Sequence, residues 1–138
     1  MEIPSWKNLD ISQFSYLSFL VANVEPGEEN PVDSEIQTSI NVALTLEIKE
    51  PDETMIKRSR SVDTKAFGRI PHPYQRSWLG CETCTDNQQA ILIGIRIPLS
   101  EFGLSQEELN QLQAIEMEMD ASGNPKGNIA LDDIFFTQ

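Results

Sequence analysis

The stretch 39–49 constrains the fold most: Ile40, Val42, Leu44, Leu46 and Ile48 alternate with Asn41, Ala43, Thr45, Glu47 and Lys49. Period two puts alternate residues on opposite sides of an extended chain, giving one greasy face and one wet face. That is the pattern of an antiparallel sheet with one side on a core. It recurs with Leu17, Phe19 and Val21 near 15–24, and with Ile91, Ile93, Ile95 and Ile97. Ile115, Met117 and Met119 repeat it, with Glu116, Glu118 and Asp120 expected to point outward. A last strand over 128–136 carries Ile129, Leu131, Ile134 and Phe136, and its phase shift across Asp132-Asp133 predicts a β-bulge. Helix is scarce. Ser105-Gln106-Glu107-Glu108 is a capping box, which predicts a short two-turn helix over 105–112. Turn-rich links at 25–35, 63–88 and 121–127 separate the strands. The expected fold is all-β, an antiparallel β-sandwich of the jelly-roll kind with one short helix, forming one domain over 1–138.

Charge narrows the partners. With a formal net charge of −12, the chain repels nucleic acid and anionic membranes on approach, so neither is expected as a partner. No apolar run approaches the roughly 20 residues a membrane helix needs. Met1 to Asp10 lack a basic start and an apolar stretch, so no secretion signal is expected there. The charge is unevenly spread. Six of the ten basic residues (Lys57, Arg58, Arg60, Lys65, Arg69 and Arg76) lie between positions 57 and 76, where Asp63 is the only acid.

Three segments resemble the galactose-binding-like β-jelly-roll superfamily, which includes many carbohydrate-binding modules. Leu9-Asp10-Ile11-Ser12-Gln13-Phe14-Ser15-Tyr16-Leu17-Ser18-Phe19 is similar to the opening strand of that family. Ile97-Pro98-Leu99-Ser100-Glu101-Phe102 is similar to the turn after a central strand, and Gly127-Asn128-Ile129-Ala130-Leu131-Asp132-Asp133-Ile134-Phe135-Phe136 to the closing strand. Such modules usually carry one or two strands before the opening segment, whereas this chain begins almost at it. The resemblance implies an accessory carbohydrate-binding module, extracellular or at a cell surface, excised from a larger polysaccharide-active protein and working beside that protein's other domains. The same superfamily includes protein-binding and assembly members.

The loop 63–88 is the first place to seek a ligand. It holds Phe67, Arg69, His72, Tyr74, Arg76 and Trp78, a set of planar rings and forked donors. Sugars present apolar ring faces that stack on aromatics and rim hydroxyls that suit fixed donors. The plainer alternative is that Trp78 or Tyr74 pins the loop to the sandwich. Likewise Lys57-Arg58-Ser59-Arg60 is either an anion-facing surface or the charged guard of a sheet edge. Cys81 and Cys84 form a Cys-x-x-Cys pair with three readings: a disulfide, two free thiols, or half of a zinc site completed by His72 and Asp86. The resemblance also implies a structural calcium, for which Asp132 or Asp133, with Glu28, Glu29 and Asp33, would supply oxygens. The duller reading is that Asp133 satisfies backbone donors at the bulge.

Jelly rolls also host glycosidases and lyases, so a catalytic reading needs testing. Two carboxylates across a cleft would serve a glycosidase, and Glu116, Glu118 and Asp120 share one face of a strand as a solvated acidic stripe. For a lyase, Arg69, His72 and Tyr74 are the nearest set, without that class's strand motifs. His72, the only histidine, has no nucleophile elbow to serve, and no Gly-rich phosphate loop is present. The reading carried forward is a non-catalytic module for a polysaccharide or oligosaccharide, with a protein-interaction domain and a catalytic jelly roll as alternatives.

Overall fold

The alternation at 39–49 is realised as a ten-residue strand, β3 (Ile40–Lys49). Ile40, Val42, Leu44 and Leu46 are buried, while Asn41, Ala43, Thr45 and Glu47 stay partly exposed on the other face. The computed structural model describes residues 9–24, 37–38, 40–49, 52–68, 70–71, 74–75, 88–119 and 129–138. Ten strands occur there: β1 (Tyr16–Asn23), β2 (Gln37–Thr38), β3, β4 (Met55–Asp63), β5 (Ile70–Pro71), β6 (Tyr74–Gln75), β7 (Gln88–Gln89), β8 (Ile93–Pro98), β9 (Leu112–Met119) and β10 (Ile129–Thr137). Every pairing between them is antiparallel. One three-stranded sheet runs β10-β1-β8 and the other β4-β3-β9, with β2-β5 and β6-β7 as two short ribbons.

The two sheets share a single apolar cluster. Leu17, Phe19 and Val21 from β1 and Ile95 and Ile97 from β8 join Val42, Leu44 and Leu46 from β3 and Leu112 and Ile115 from β9. Burying a side chain of this size is worth about 1.5–3 kcal/mol, so the cluster dominates the stability of the fold. The all-β expectation is therefore met, in a sandwich-like arrangement of two sheets.

The bulge expected in β10 is present. Ser18 pairs with Phe135 and Leu20 with Asp132, so Phe19 alone faces the two residues Asp133 and Ile134. Asp133 takes a φ of 48°, the left-handed region that Asp tolerates better than most non-glycine residues. The carboxylate that serves the bulge is that of Asp132, whose Oδ1 accepts the Asp133 N–H at 2.9 Å. The sequence had suggested Asp133 for that job. A second register shift lies in β9, where Thr45 pairs with Ala114 but Leu46 with Leu112, leaving Gln113 as the extra residue. β8 begins at Ile93, so Ile91, expected within that strand, lies outside it and is exposed.

The helix over 105–112 needs correcting. The capping box does form, with the Glu108 N–H donating to Ser105 Oγ at 3.3 Å and the Ser105 N–H donating to Glu108 Oε2 at 2.8 Å. One α-type bond follows, Leu109 N–H to the Ser105 carbonyl at 3.1 Å, and then a 3-10 turn over Glu108–Asn110. The chain cannot continue as helix because Gln111 and Leu112 are claimed by sheet structure. The Gln111 carbonyl accepts from Glu47 N–H, and Leu112 bridges to Leu9. No α-helix occurs among the described residues; two further 3-10 turns span Thr64–Ala66 and Leu99–Phe102. The latter ends on Gly103 at φ 62°, where a side chain would be strained.

Asp133→Gly is expected to leave stability unchanged or slightly raised, whereas Asp133→Val should cost about 1–2 kcal/mol by forcing a branched residue into the left-handed region. Urea unfolding of both variants checks this, and equal loss in both would mean the bulge side chain matters more than its backbone.

Candidate functional site

Most of the loop residues singled out in the sequence, Arg69, His72, Arg76 and Trp78, lie outside the described residues, as do Cys81, Cys84 and the 25–35 segment. Two members of the set are placed. Tyr74 sits on β6, paired with Gln89. Phe67 is half-buried and packs against the core, where the loop leaves the 3-10 turn of Thr64–Ala66. That turn is held by Asp63, whose Oδ1 accepts from Lys65 N–H at 2.7 Å, and by the buried Thr64, whose Oγ1 accepts from Ile40 N–H at 2.8 Å. So the first aromatic of the loop is seated on a fixed corner of the sandwich.

Asp132 and Asp133 are both exposed. One Asp132 oxygen is already engaged by backbone, and calcium takes six to eight oxygens. Among the described residues no group of three or more His, Cys, Asp or Glu side chains could hold a metal ion. The partners suggested for calcium, Glu28, Glu29 and Asp33, lie outside the described residues. Glu116 and Glu118 point outward as expected, opposite Ala43 and Asn41, and Glu116 Oε1 accepts from the Thr45 hydroxyl at 3.4 Å. No helix among the described residues is long and apolar enough to cross a membrane.

Register places planar and donor groups together on the outer face of β10-β1-β8. Residues directly opposite each other in antiparallel strands share a face. Ser18 faces Phe135 on one side and Arg96 on the other, so one row across the sheet reads Phe135, Ser18, Arg96. The next rows add Tyr16, and then Asp132, Leu20 and Gly94. Phe135 is 46% exposed. The Arg96 guanidinium lies over the Tyr16 ring, 3.8 Å from its centre, and its Nη2 donates to the Gln138 carbonyl at 2.8 Å. Stacking of this kind holds a forked donor in a fixed plane. Sequence reading missed Arg96 and Phe135, although Arg96 is the one charge within an isoleucine-rich strand.

A second polar feature lies beside the capping box. Ile48, Arg58, Ser105, Glu107, Glu108 and Gln111 line a groove of about 470 Å³. Arg58 is opposite Leu46 in the register, on the core-facing side of β4, which is an edge of its three-stranded sheet. A charge pointing inward on an edge strand blocks further strand addition, so the guarding reading of Lys57-Arg58-Ser59-Arg60 has a geometric basis. Arg58 Nη1 donates to Glu108 Oε1 at 2.8 Å, with the two side chains 40% and 16% exposed. The Ser105 N–H, and then Arg58, hold the Glu108 carboxyl below the usual glutamate range, against the opposing effect of burial.

No family model matches the chain, and no curated protein or solved structure matches it either.

Because its folded-state value is depressed, ionised Glu108 contributes stability that is fully present above the ordinary glutamate range. That contribution is lost as the pH falls through the lowered folded value. Glu108→Gln is therefore expected to be less stable than the parent at neutral pH, with the gap closing as the pH falls below the ordinary glutamate range. Denaturant unfolding across that range checks it; a gap that stays constant would mean the charge of Glu108 is not what matters.

Proposed function

We propose that this chain is a non-catalytic carbohydrate-binding module, built on a jelly-roll sandwich and belonging to a larger exported polysaccharide-active protein. The observation that carries the proposal is the row Phe135, Ser18, Arg96 on the outer face of β10-β1-β8. In that row the exposed Phe135 and the Arg96 strand position lie on either side of Ser18, with the Arg96 guanidinium held over the neighbouring Tyr16 ring. A sugar ring laid on Phe135 would bury its apolar face, and its rim hydroxyls would reach Arg96. This is the combination of planar rings and forked donors that the loop residues Trp78, Tyr74, His72, Phe67, Arg69 and Arg76 also offer by residue type. In this proposal a structural calcium would use Asp132 or Asp133 with carboxylates from the 25–35 loop.

A second reading, a protein-interaction or assembly domain, is favoured by apolar exposure. Val24 follows β1 and Leu92 precedes β8 at the same end of that sheet, 45% and 53% exposed. Single exposed apolar residues are ordinary, but neighbours at one end of a sheet suit a partner's apolar surface.

A glycan-array screen of the purified chain, run with calcium and again with chelator, separates the readings. One polysaccharide class is expected to bind. Phe135→Ala and Trp78→Ala should each weaken that binding at least about tenfold, the size of one lost stacking contact, with no change in melting temperature. Loss of binding in chelator would assign the calcium. A blank array under both conditions would transfer the proposal to the interaction reading, which size-exclusion chromatography with candidate partner domains would then test.

A further inference from the structure

We infer that the groove at the 105–111 turn is a second ligand site, distinct from the sheet face, shaped for two neighbouring hydroxyls of an uncharged sugar. The inference rests on the carbohydrate reading above and assigns it an additional subsite with its own chemistry.

The structural duties of the groove leave hydrogen-bonding capacity unused. Glu108 accepts from Arg58 Nη1 at 2.8 Å and from Ser105 N–H at 2.8 Å, with the Ser105 hydroxyl a further partner. A carboxylate offers about four lone-pair sites, so these bonds do not exhaust it. Arg58 has five N–H donors in a planar fork, and the ion pair uses Nη1. With 40% of its side chain exposed, the rest of the fork can reach the groove. Both partners stand on elements that are themselves tied down. One partner stands on a strand in register with Leu46, and the other is locked into a capping box whose turn is tied down by Gln106 Nε2 donating to the Ser12 carbonyl at 2.8 Å. A donor and an acceptor held side by side cost little further ordering when a ligand arrives.

The charges select the ligand. Glu107 and Glu108 outnumber Arg58 among the lining residues, so a carboxylate or phosphate is repelled. A hydroxyl both donates and accepts, and two adjacent hydroxyls can take bonds from the Arg58 fork while giving bonds to Glu108. Ile48 supplies an apolar wall for the C–H face of the same ring. The volume, about 470 Å³, falls within the range of small-molecule sites.

The test is amide NMR of the full chain titrated with methyl β-glucoside, methyl α-mannoside and methyl β-galactoside, and with methyl β-glucuronide as the charged comparison. Polysaccharide binding is measured in parallel on the parent, Arg58→Met, Arg58→Lys and Phe135→Ala. At least one neutral glycoside should shift amides within 47–48, 56–59 and 105–111, with an affinity of about millimolar and at least about tenfold over the glucuronide. Both Arg58 variants should abolish those shifts, because lysine keeps the charge but not the fork, while Phe135→Ala should leave them intact. Unchanged melting temperatures in Arg58→Lys separate loss of the site from loss of the fold. Polysaccharide binding that depends on Phe135, with no shift at 105–111, would overturn this inference and leave the module reading standing. Shifts that survive in both Arg58 variants would also overturn it. Failure of every glycoside and polysaccharide to bind would overturn both.

Discussion

Everything else in the molecule depends on two central strands that each need a core. β1 and β3 are flanked by partners on both sides, so their backbone groups are satisfied within their own sheets. What remains is the apolar face of each, and both faces feed the same cluster of Leu, Ile, Val and Phe. Edge strands and turns are then positioned by this pair. β4 and β9 are set by β3, β8 and β10 by β1, and the surfaces that carry functional chemistry follow from those registers. Arg96 meets Ser18 and Phe135 because β1 lies between β8 and β10, and Arg58 reaches Glu108 because β4 lies at the edge beside the 105–111 turn.

The strands were legible because a period of two is a direct consequence of extended geometry, and burial on one face rewards it. The bulge was legible for the same reason, since an extra residue must shift the phase. The 105–111 turn was half legible. Ser105 and Glu108 specify how a helix starts but not how far it runs, and the demand of Leu112 and Gln111 for strand partners is a tertiary fact. Its physical origin lies in residues as distant as Leu9 and Glu47.

The site was less legible than the fold. Arg58 and Glu108 are 50 residues apart, and nothing local marks them as a pair. Arg58 instead drew notice as part of a basic run, whose members diverge once the strand forms: Lys57 falls opposite Glu47, and Arg58 opposite Leu46. Similarly, Asp132 and Asp133 look alike in sequence, yet in the bulge Asp133 takes the left-handed backbone while Asp132 is the side chain that accepts its N–H. Phe135 reads as one more apolar residue in a closing strand until the register puts it on the outer face.

The buried Thr64 hydroxyl has a consequence for how the chain assembles. By accepting the Ile40 N–H it fastens the far end of the β3-β4 hairpin, at whose near end the Thr54 N–H donates to Asp52 Oδ1 at 2.9 Å. This unit closes over a span of 24 residues, whereas Ser18 and Thr137, neighbours across β1 and β10, are 119 residues apart. Loop-closure entropy therefore favours the hairpin first, with β1 gaining its outer partner only after the longest loop in the molecule has closed. The sheet that carries the aromatic row is in that sense the last to be completed, and its closing strand is the part of the fold most exposed to competition while the chain is still collapsing.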